Sequence, residues 1–433
     1  MKHLLPLILF LMPFFGVAQT PFCYTRVQHI VYNLNGAHDM TINLNDINGG
    51  STVGITLTNC YNIRITRSYI HDITNRGIRL NSCHDITIDS CSFENLYTGV
   101  YAFQCTGGIV VKDNQFNNMS NPLLASTGIG SAIQYSFGSG GNQKILRNKI
   151  QSTPSLGGGD MINLYQTSGL VNDYVDIGFN EILGGGTDYH YGPSGIVACD
   201  LAGRYVRVHD NKLVNTGYNG AISQAGTFIV IKNNYIYSAD LPYSGTGLGC
   251  ANYGAAPAGF GDTITNNHIN WFGGVPAYRR INDTVYKPIV AGHPANTRPI
   301  GFSANVHDNS VNRSILPATI YQTCSLPSPA YVPVVNILRV GMAFSITPTN
   351  SGSGTTSWSI SPSLVSGLSF NTSTGRVNGT PTVQHLLPIT YTVTATNGSG
   401  SATAPLIISV LPKLPPHVGT RTGGKFGGII QRH

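Results

Sequence analysis

The chain has 433 residues, of which only 10% are charged, with 51 Gly, 24 Pro and a formal net charge of +7. The sole glutamates, Glu94 and Glu181, exclude coiled coils and helical bundles, which need stretches rich in Ala, Glu, Lys, Leu and Arg. A hydrophobic share of 41% excludes long disorder, which goes with charge and few apolar residues; the composition reads as all-β.

Residues 1–18 carry Lys2, an apolar run from Leu4 to Phe15 and the small residues Gly16-Val17-Ala18. That is the pattern of a secretory signal peptide. The apolar run is shorter than the roughly 20 residues a spanning helix needs. The expected mature chain begins near Gln19, has no membrane span, and is secreted to the extracellular space or the cell surface. Its charge is unevenly spread. Residues 19–308 hold 17 Lys/Arg and 18 Asp/Glu, while residues 309–433 hold seven Lys/Arg and no acid. The folded body is therefore neutral and lacks the basic stripe of a nucleic-acid binder.

A repeat follows the leader. Asn62-Ile63-Arg64-Ile65-Thr66-Arg67-Ser68-Tyr69-Ile70 is matched by Asp85 to Phe93 and by Gly108 to Phe116. Each copy has apolar residues two apart, a small residue or Asn at a fixed offset, and a further apolar residue two positions on. The anchors fall at 45, 68, 91, 114, 148, 180, 211, 234, 267 and 309, with a basal spacing of 23. Alternating apolar residues predict strands with one buried face. A unit this short cannot bury that face alone, so it must stack on its neighbours. Stacked coils pair through parallel strands ~4.8 Å apart. Asn at one turn of each coil predicts a ladder of amides, and Asn tolerates the left-handed turn conformation. Cys60 and Cys83, with Cys105 close to the same offset, should share one column, as buried thiols or as a bridged pair.

The I-x-I-x-x-N-x-I frame and its Asn ladder resemble the right-handed parallel β-helix of the pectate-lyase-like superfamily, over roughly residues 25–320. The resemblance implies about ten coils and a substrate groove over the first strand of each coil. It implies no single activity, because that solenoid carries polysaccharide lyases, hydrolases, epimerases, tailspikes and adhesins. The N-T-D, D-D, G-H-G and R-I-K set of polygalacturonases is absent from the sequence, as are the R-x-P-x-x-R of pectate lyases and the D-P-H-E of mannuronan epimerases. No catalytic residue is carried over from those families.

Candidate chemistry therefore rests on position. Residues added beyond the basal spacing fall mostly after the N-x-I strand, in 118–130, 152–159, 184–193, 239–247 and 270–299. Insertions at one point of a solenoid project from one face, often the binding face. Alternation turns Arg79, Tyr101, Phe103, Gln134, Asn163, Tyr165 and Ser223 outward onto the groove floor. β-Elimination on a uronate chain needs a cation for the carboxylate, a base and an acid; Arg76 and Arg79 suit the first role, and His190 with Tyr165 or Tyr191 the others. Hydrolysis needs two carboxylates, and Asp160 with Asp188 or Asp200 is the best pair. The expected catalytic set is Asp160, His190, Arg79 and Tyr165. The expected substrate contacts are Arg76, Tyr101, Gln134, Asn163, Asp188, Tyr191, Asp200, Trp271, Tyr278 and Arg279. No cofactor is required by the sequence. A Ca²⁺ site built from scattered Asp and carbonyls leaves no linear signature, so Ca²⁺ and any metal ligands stay open.

His209-Asp210-Asn211, His307-Asp308-Asn309 and Lys112-Asp113-Asn114 are expected at one tight turn of separate coils, where Asx chemistry explains them. The β-helix is expected over 19–324 and a linker over 325–329. Residues 330–412 show short strands between Gly, Ser, Asn and Pro turns, the sandwich pattern. Gly367 to Asn371, Thr374 to Pro381 and Tyr391 to Asn397 resemble the Ig-like modules of bacterial secreted and surface proteins, which implies a spacer role first, with sugar or partner binding as the alternatives. Residues 413–433 form a Gly-rich basic tail. The expected function is action on a polysaccharide, by β-elimination first, with glycan binding without catalysis and glycoside hydrolysis as alternatives, by a monomer.

Overall fold

The computed structural model describes residues 24–414 apart from 25, 30, 49, 51, 120–129, 153–158, 186–193, 240, 242–244, 251–260, 274–279, 282–283, 287–299, 323–325, 353–354, 356 and 398–399. The leader and the C-terminal tail lie outside the described residues. Among those described there is no α-helix, only two 3₁₀ turns, Phe302–Ala304 and Arg313–Ile315, and no helix long and apolar enough to cross a membrane. The chain forms two compact units that divide between residues 323 and 324.

The first unit is the expected stack of parallel strands, three to a coil. One inward column shows why it holds. Ile55, Ile78, Val100, Ile133, Ile162, Ile196, Ala221 and Leu248 pair in parallel register from coil to coil. All are fully buried. Each repeat thus hands its apolar face to the next, which is how a 23-residue unit comes to have a core.

The second and third strands of each coil meet at the Asn turn. The residue before each anchor from Asn45 to Asn267 adopts left-handed backbone, as at Leu44, Ser90, Asp113, Asp210 and Asn233. From Asn114 onward the anchor amides form a continuous ladder. Asn114, Asn148, Asn180, Asn211, Asn234 and Asn267 each donate Nδ2 to the next Oδ1, at distances from 3.1 Å down to 2.7 Å. The last acceptor is Asn305, not Asn309. Asn309 is exposed, so the final coil turns four residues earlier than the sequence frame suggests. His307-Asp308 correspondingly leaves the turn family: Asp308 accepts from the Ser310 amide at 2.9 Å and pairs with His268 Nδ1 at 2.8 Å.

Cys60, Cys83 and Cys105 are buried free thiols, the first of the two expected states. Each bonds the carbonyl two residues back, at Thr58, Asn81 and Phe103 respectively.

Residues 311–322 form a return strap that the sequence did not signal. Asn270 Nδ2 donates to Val311 O at 2.8 Å. Leu316 and Ile320 then pack on Leu183 and Val214. Gln151 Oε1 accepts from the amides of Ile320 and Tyr321, Gln115 exchanges two bonds with the Gln322 backbone, and Tyr321 Oη donates to Glu94 at 3.2 Å. The contacts retreat from coil to coil, so the strap runs back along the third sheet.

The second unit is a β-sandwich. Four strands, Val335–Arg339, Gly400–Leu411, His385–Asn397 and Ser357–Ser361, face three, Phe344–Ile346, Val377–Gly379 and Leu368–Phe370. Trp358, Tyr391, Leu406 and Val377 fill the space between.

Candidate functional site

The first strands carry the floor of the candidate groove. Parallel register aligns Arg79 with Tyr101, Tyr101 with Gln134, and Gln134 with Asn163. These side chains point away from the core because their neighbours Ile78, Leu80, Val100, Ile133 and Ile162 are fully buried. A second outward column runs Asn81, Phe103, Ser136, Tyr165 and Asp200. Ser223 does not join it. Its strand registers Ala221 on Ile196 and Ile222 on Val197, which makes Ile222 the outward residue there and turns Ser223 inward.

Three of the expected residues converge. Asn163 Nδ2 donates to Asp160 Oδ2 at 2.7 Å and reaches Asp200 Oδ2 at 3.4 Å. Asp160 also accepts from the Ser194 amide at 2.7 Å. The chain brings them together by two devices: Asp160 opens a first strand, and Asp200 sits where the strand Ser194–His209 shifts register against Ile162–Ser168. Burial pushes the Asp160 carboxyl up to about 7, against the hydrogen bonds from Asn163 and Ser194, and the nearby Asp200 charge raises it further. Asp200 is likewise raised by burial. Asp160 and Asp200 each keep part of their surface open. Asn163 is 5% exposed, and its Oδ1 has no hydrogen-bond partner among the described residues.

Arginine and aromatic residues border this cluster. The Arg76 guanidinium lies 4.4 Å from the Tyr101 ring centroid, and its buried Nε has no partner among the described residues. Arg79 Nε donates to Asn81 Oδ1 at 3.0 Å. The rings of Tyr101 and Phe103 are 6.2 Å apart. Phe137 meets Phe103 and Tyr165 edge-on at 5.7 and 5.3 Å.

Phe137 escaped the sequence reading. It is 44% exposed and holds φ +56°, a conformation costly for a bulky side chain. Gln104 and Gln166 take the same backbone at the corresponding positions of neighbouring coils. The signal in the sequence is a phenylalanine at a turn position filled elsewhere by Gln.

Trp271 is a correction. It is fully buried in the solenoid core, on a strand paired with Tyr235–Ser238, so no sugar can stack on it. His190, Asp188, Tyr191, Tyr278 and Arg279 lie outside the described residues. Among the described residues no group of three or more His, Cys, Asp or Glu is arranged to hold a metal ion, and no Ca²⁺ ligand set is assigned.

The fold is a solenoid of parallel strands whose first strands carry an outward row of polar and aromatic side chains, followed by an Ig-like module. Residues 28–182 match the family described as "Right handed beta helix region", and residues 327–411 match the one described as "Putative Ig domain". The chain is a right-handed β-helix protein with a C-terminal Ig-like domain. No curated protein matches it. Among solved structures it is similar to a protein described as a putative alpha-galactosidase from Bacteroides fragilis NCTC 9343, at 22% identity and a TM-score of 0.18. That likeness covers 21% of this chain and 19% of the other, so most of both chains lies outside it.

Proposed function

We propose that this protein cleaves a polysaccharide laid in the groove, with Asp160 as general acid and Asp200 as the partner carboxylate of a glycoside hydrolase. The observation that carries the reading is the Asp160–Asn163–Asp200 cluster, in which both carboxylates keep part of their surface open. Hydrolysis of a glycosidic bond needs one carboxylic acid that is protonated at working pH and one carboxylate. A carboxyl raised to about 7 still holds its proton in a large share of molecules as neutrality is approached, ready for the leaving oxygen. Asp200, with its open edge, takes the second role. Tyr101, Phe137 and Tyr165, which keep part of their surface open, offer ring faces and edges to the glycan chain. The signal-like leader supports export, which would bring the groove to extracellular glycans.

Arg76 supports a second reading. A guanidinium beside the floor with an unpaired Nε suits a uronate carboxylate, the group that β-elimination must neutralise. A panel of pectins, alginate, chondroitin and xylan separates the two, with and without Ca²⁺. Reducing ends rising without ultraviolet absorbance, and lost in Asp160→Asn, are expected. Absorbance from unsaturated uronates would move the assignment to elimination. Silence on every glycan, with retention of one in a pull-down, would overturn catalysis in favour of binding.

A further inference from the structure

The outward floor changes character at the acid cluster. On one side, Thr56, Arg79, Tyr101 and Gln134 are polar or amphipathic, and all keep part of their surface. On the other side, Asn163 pairs with Val197, and Val197 with Ile222. Val197 is fully buried and Ile222 is 5% exposed. Neither belongs to the solenoid core, which takes their neighbours Ile196, Ala198 and Ala221 instead. They are outward residues that are nevertheless covered. Apolar side chains are the ones that gain from being covered there, at about 25 cal/mol per Å². Beyond Ile222 the column reaches Gly249, where an added Cβ would stand 2.9 Å from the Ile222 side chain.

We infer that the groove is a blind cleft: it is open over the coils of Thr56 to Gln134 and stops at Asp160, Asn163 and Asp200. A glycan enters from the low-numbered coils and presents its end, not its middle, to the two carboxylates. Cleavage is then exo-acting and releases short sugars. The inference rests on the proposed glycan-cleaving function and adds the mode of attack. It also ranks the floor. Rungs are ~4.8 Å apart, so Tyr101 lies two rungs and Arg79 three rungs from Asn163. Both then serve the trailing part of the chain, away from the bond being cut.

The test uses the full chain and any panel glycan it cleaves, supplied with free termini and with both termini chemically capped. A blind cleft yields one short product from the earliest time point, little early loss of viscosity, and at least about tenfold slower cleavage of the capped polymer. Tyr101→Ala should raise KM for long oligomers more than for the shortest substrate, so that the advantage of chain length shrinks. Mixed oligomers with an immediate fall in viscosity, and equal rates on capped and free chains, would overturn the blind cleft and leave hydrolysis standing. If no glycan is cleaved, hydrolysis fails and the cleft is still tested by retention. Free-ended chains should bind and capped chains should not, and equal retention refutes it.

Discussion

Asn163 Nδ2 donates to Asp160 Oδ2 at 2.7 Å, and this amide tethers a carboxyl that burial keeps protonated near neutrality. Under the proposed hydrolysis, Asp160→Asn should lower kcat by about 10²–10⁴-fold, the usual worth of a general acid. In the parent protein the rate should fall as pH rises through about 7, where Asp160 loses its proton. A pH–rate profile of kcat/KM checks the limb.

The same group makes folding pH-dependent. The folded pKa of about 7 lies above the ordinary 3.8. Between those values the folded chain holds a proton that the unfolded chain has released. Stability from this group is therefore full below pH 3.8, declines as pH rises through the window and levels off above 7. The slope is at most about 1.4 kcal/mol per pH unit. Denaturant unfolding of parent and Asp160→Asn at several pH values should show the parent alone carrying this component.

The carboxylate spacing predicts stereochemistry. Asn163 Nδ2 is 2.7 Å from one carboxylate and 3.4 Å from the other, so those two oxygens are no farther apart than the sum of these distances. Retaining enzymes place the carboxyl groups ~5–5.5 Å apart and inverting ones ~6.5–9.5 Å apart. The product should keep the anomeric configuration of the substrate, which NMR of the first product formed reads directly.

Asn234 tests the ladder. It is fully buried, donates to Asn267 at 2.8 Å and accepts from Asn211 at 2.9 Å. Asn234→Ala strips a partner from both neighbours, each of which is buried. The expected loss is about 1–3 kcal/mol, measured by denaturant unfolding, with groove binding unchanged.

The ladder was legible in the sequence because it repeats. Ten anchors in one frame average out a degraded copy, and alternation around them places Arg79, Tyr101 and Gln134 outward without further help. The register failed where the repeat was interrupted. The frame places its last anchor at Asn309, after the longest spacing, where the ladder ends at Asn305, and it turns Ser223 outward in a strand whose neighbours make Ala221 the core residue. Trp271 was read by residue type, and an indole near the end of a third strand proved to be core. The strap had no periodicity to betray it, since the groups that hold it, among them Gln115, Gln151, Glu94 and Asn270, are scattered over separate coils. The Asp160–Asp200 pair was legible as two acids near first strands. Their bridge through Asn163 was not, because it needs the register shift within Ser194–His209.

Leu316 anchors the strap. It is 1% exposed, against Leu183 and Val214. Leu316→Ala should cost about 2 kcal/mol, the low end for a buried leucine, since the cluster is small. Limited proteolysis should then cut residues 311–322 faster, while the solenoid stays intact.

His209 carries the last prediction. Its Nε2 is 3.0 Å from Asp176 and its Nδ1 is 2.7 Å from Asp210, with the side chain only 13% exposed. Asp176 raises the imidazole pKa most, burial opposes it, and Asp210 adds to the rise. Despite its own burial, Asp176 is lowered, chiefly by the bond from His209 and then by the charges of His209, Arg207 and Lys144. The folded state thus favours the charged imidazole. Its contribution is complete below the ordinary histidine value of 6.5 and is lost as pH rises through the raised one. Gly178 makes the clamp tight, because a Cβ there would stand 2.6 Å from the imidazole. His209→Gln should remove stability at pH 6 and change little at pH 9. This loss sets in as pH rises past 6.5, where that of Asp160 is ending, and NMR titration of the imidazole C–H signals should show the His209 transition shifted upward. An unshifted transition would mean that the two aspartates do not hold the ring in solution.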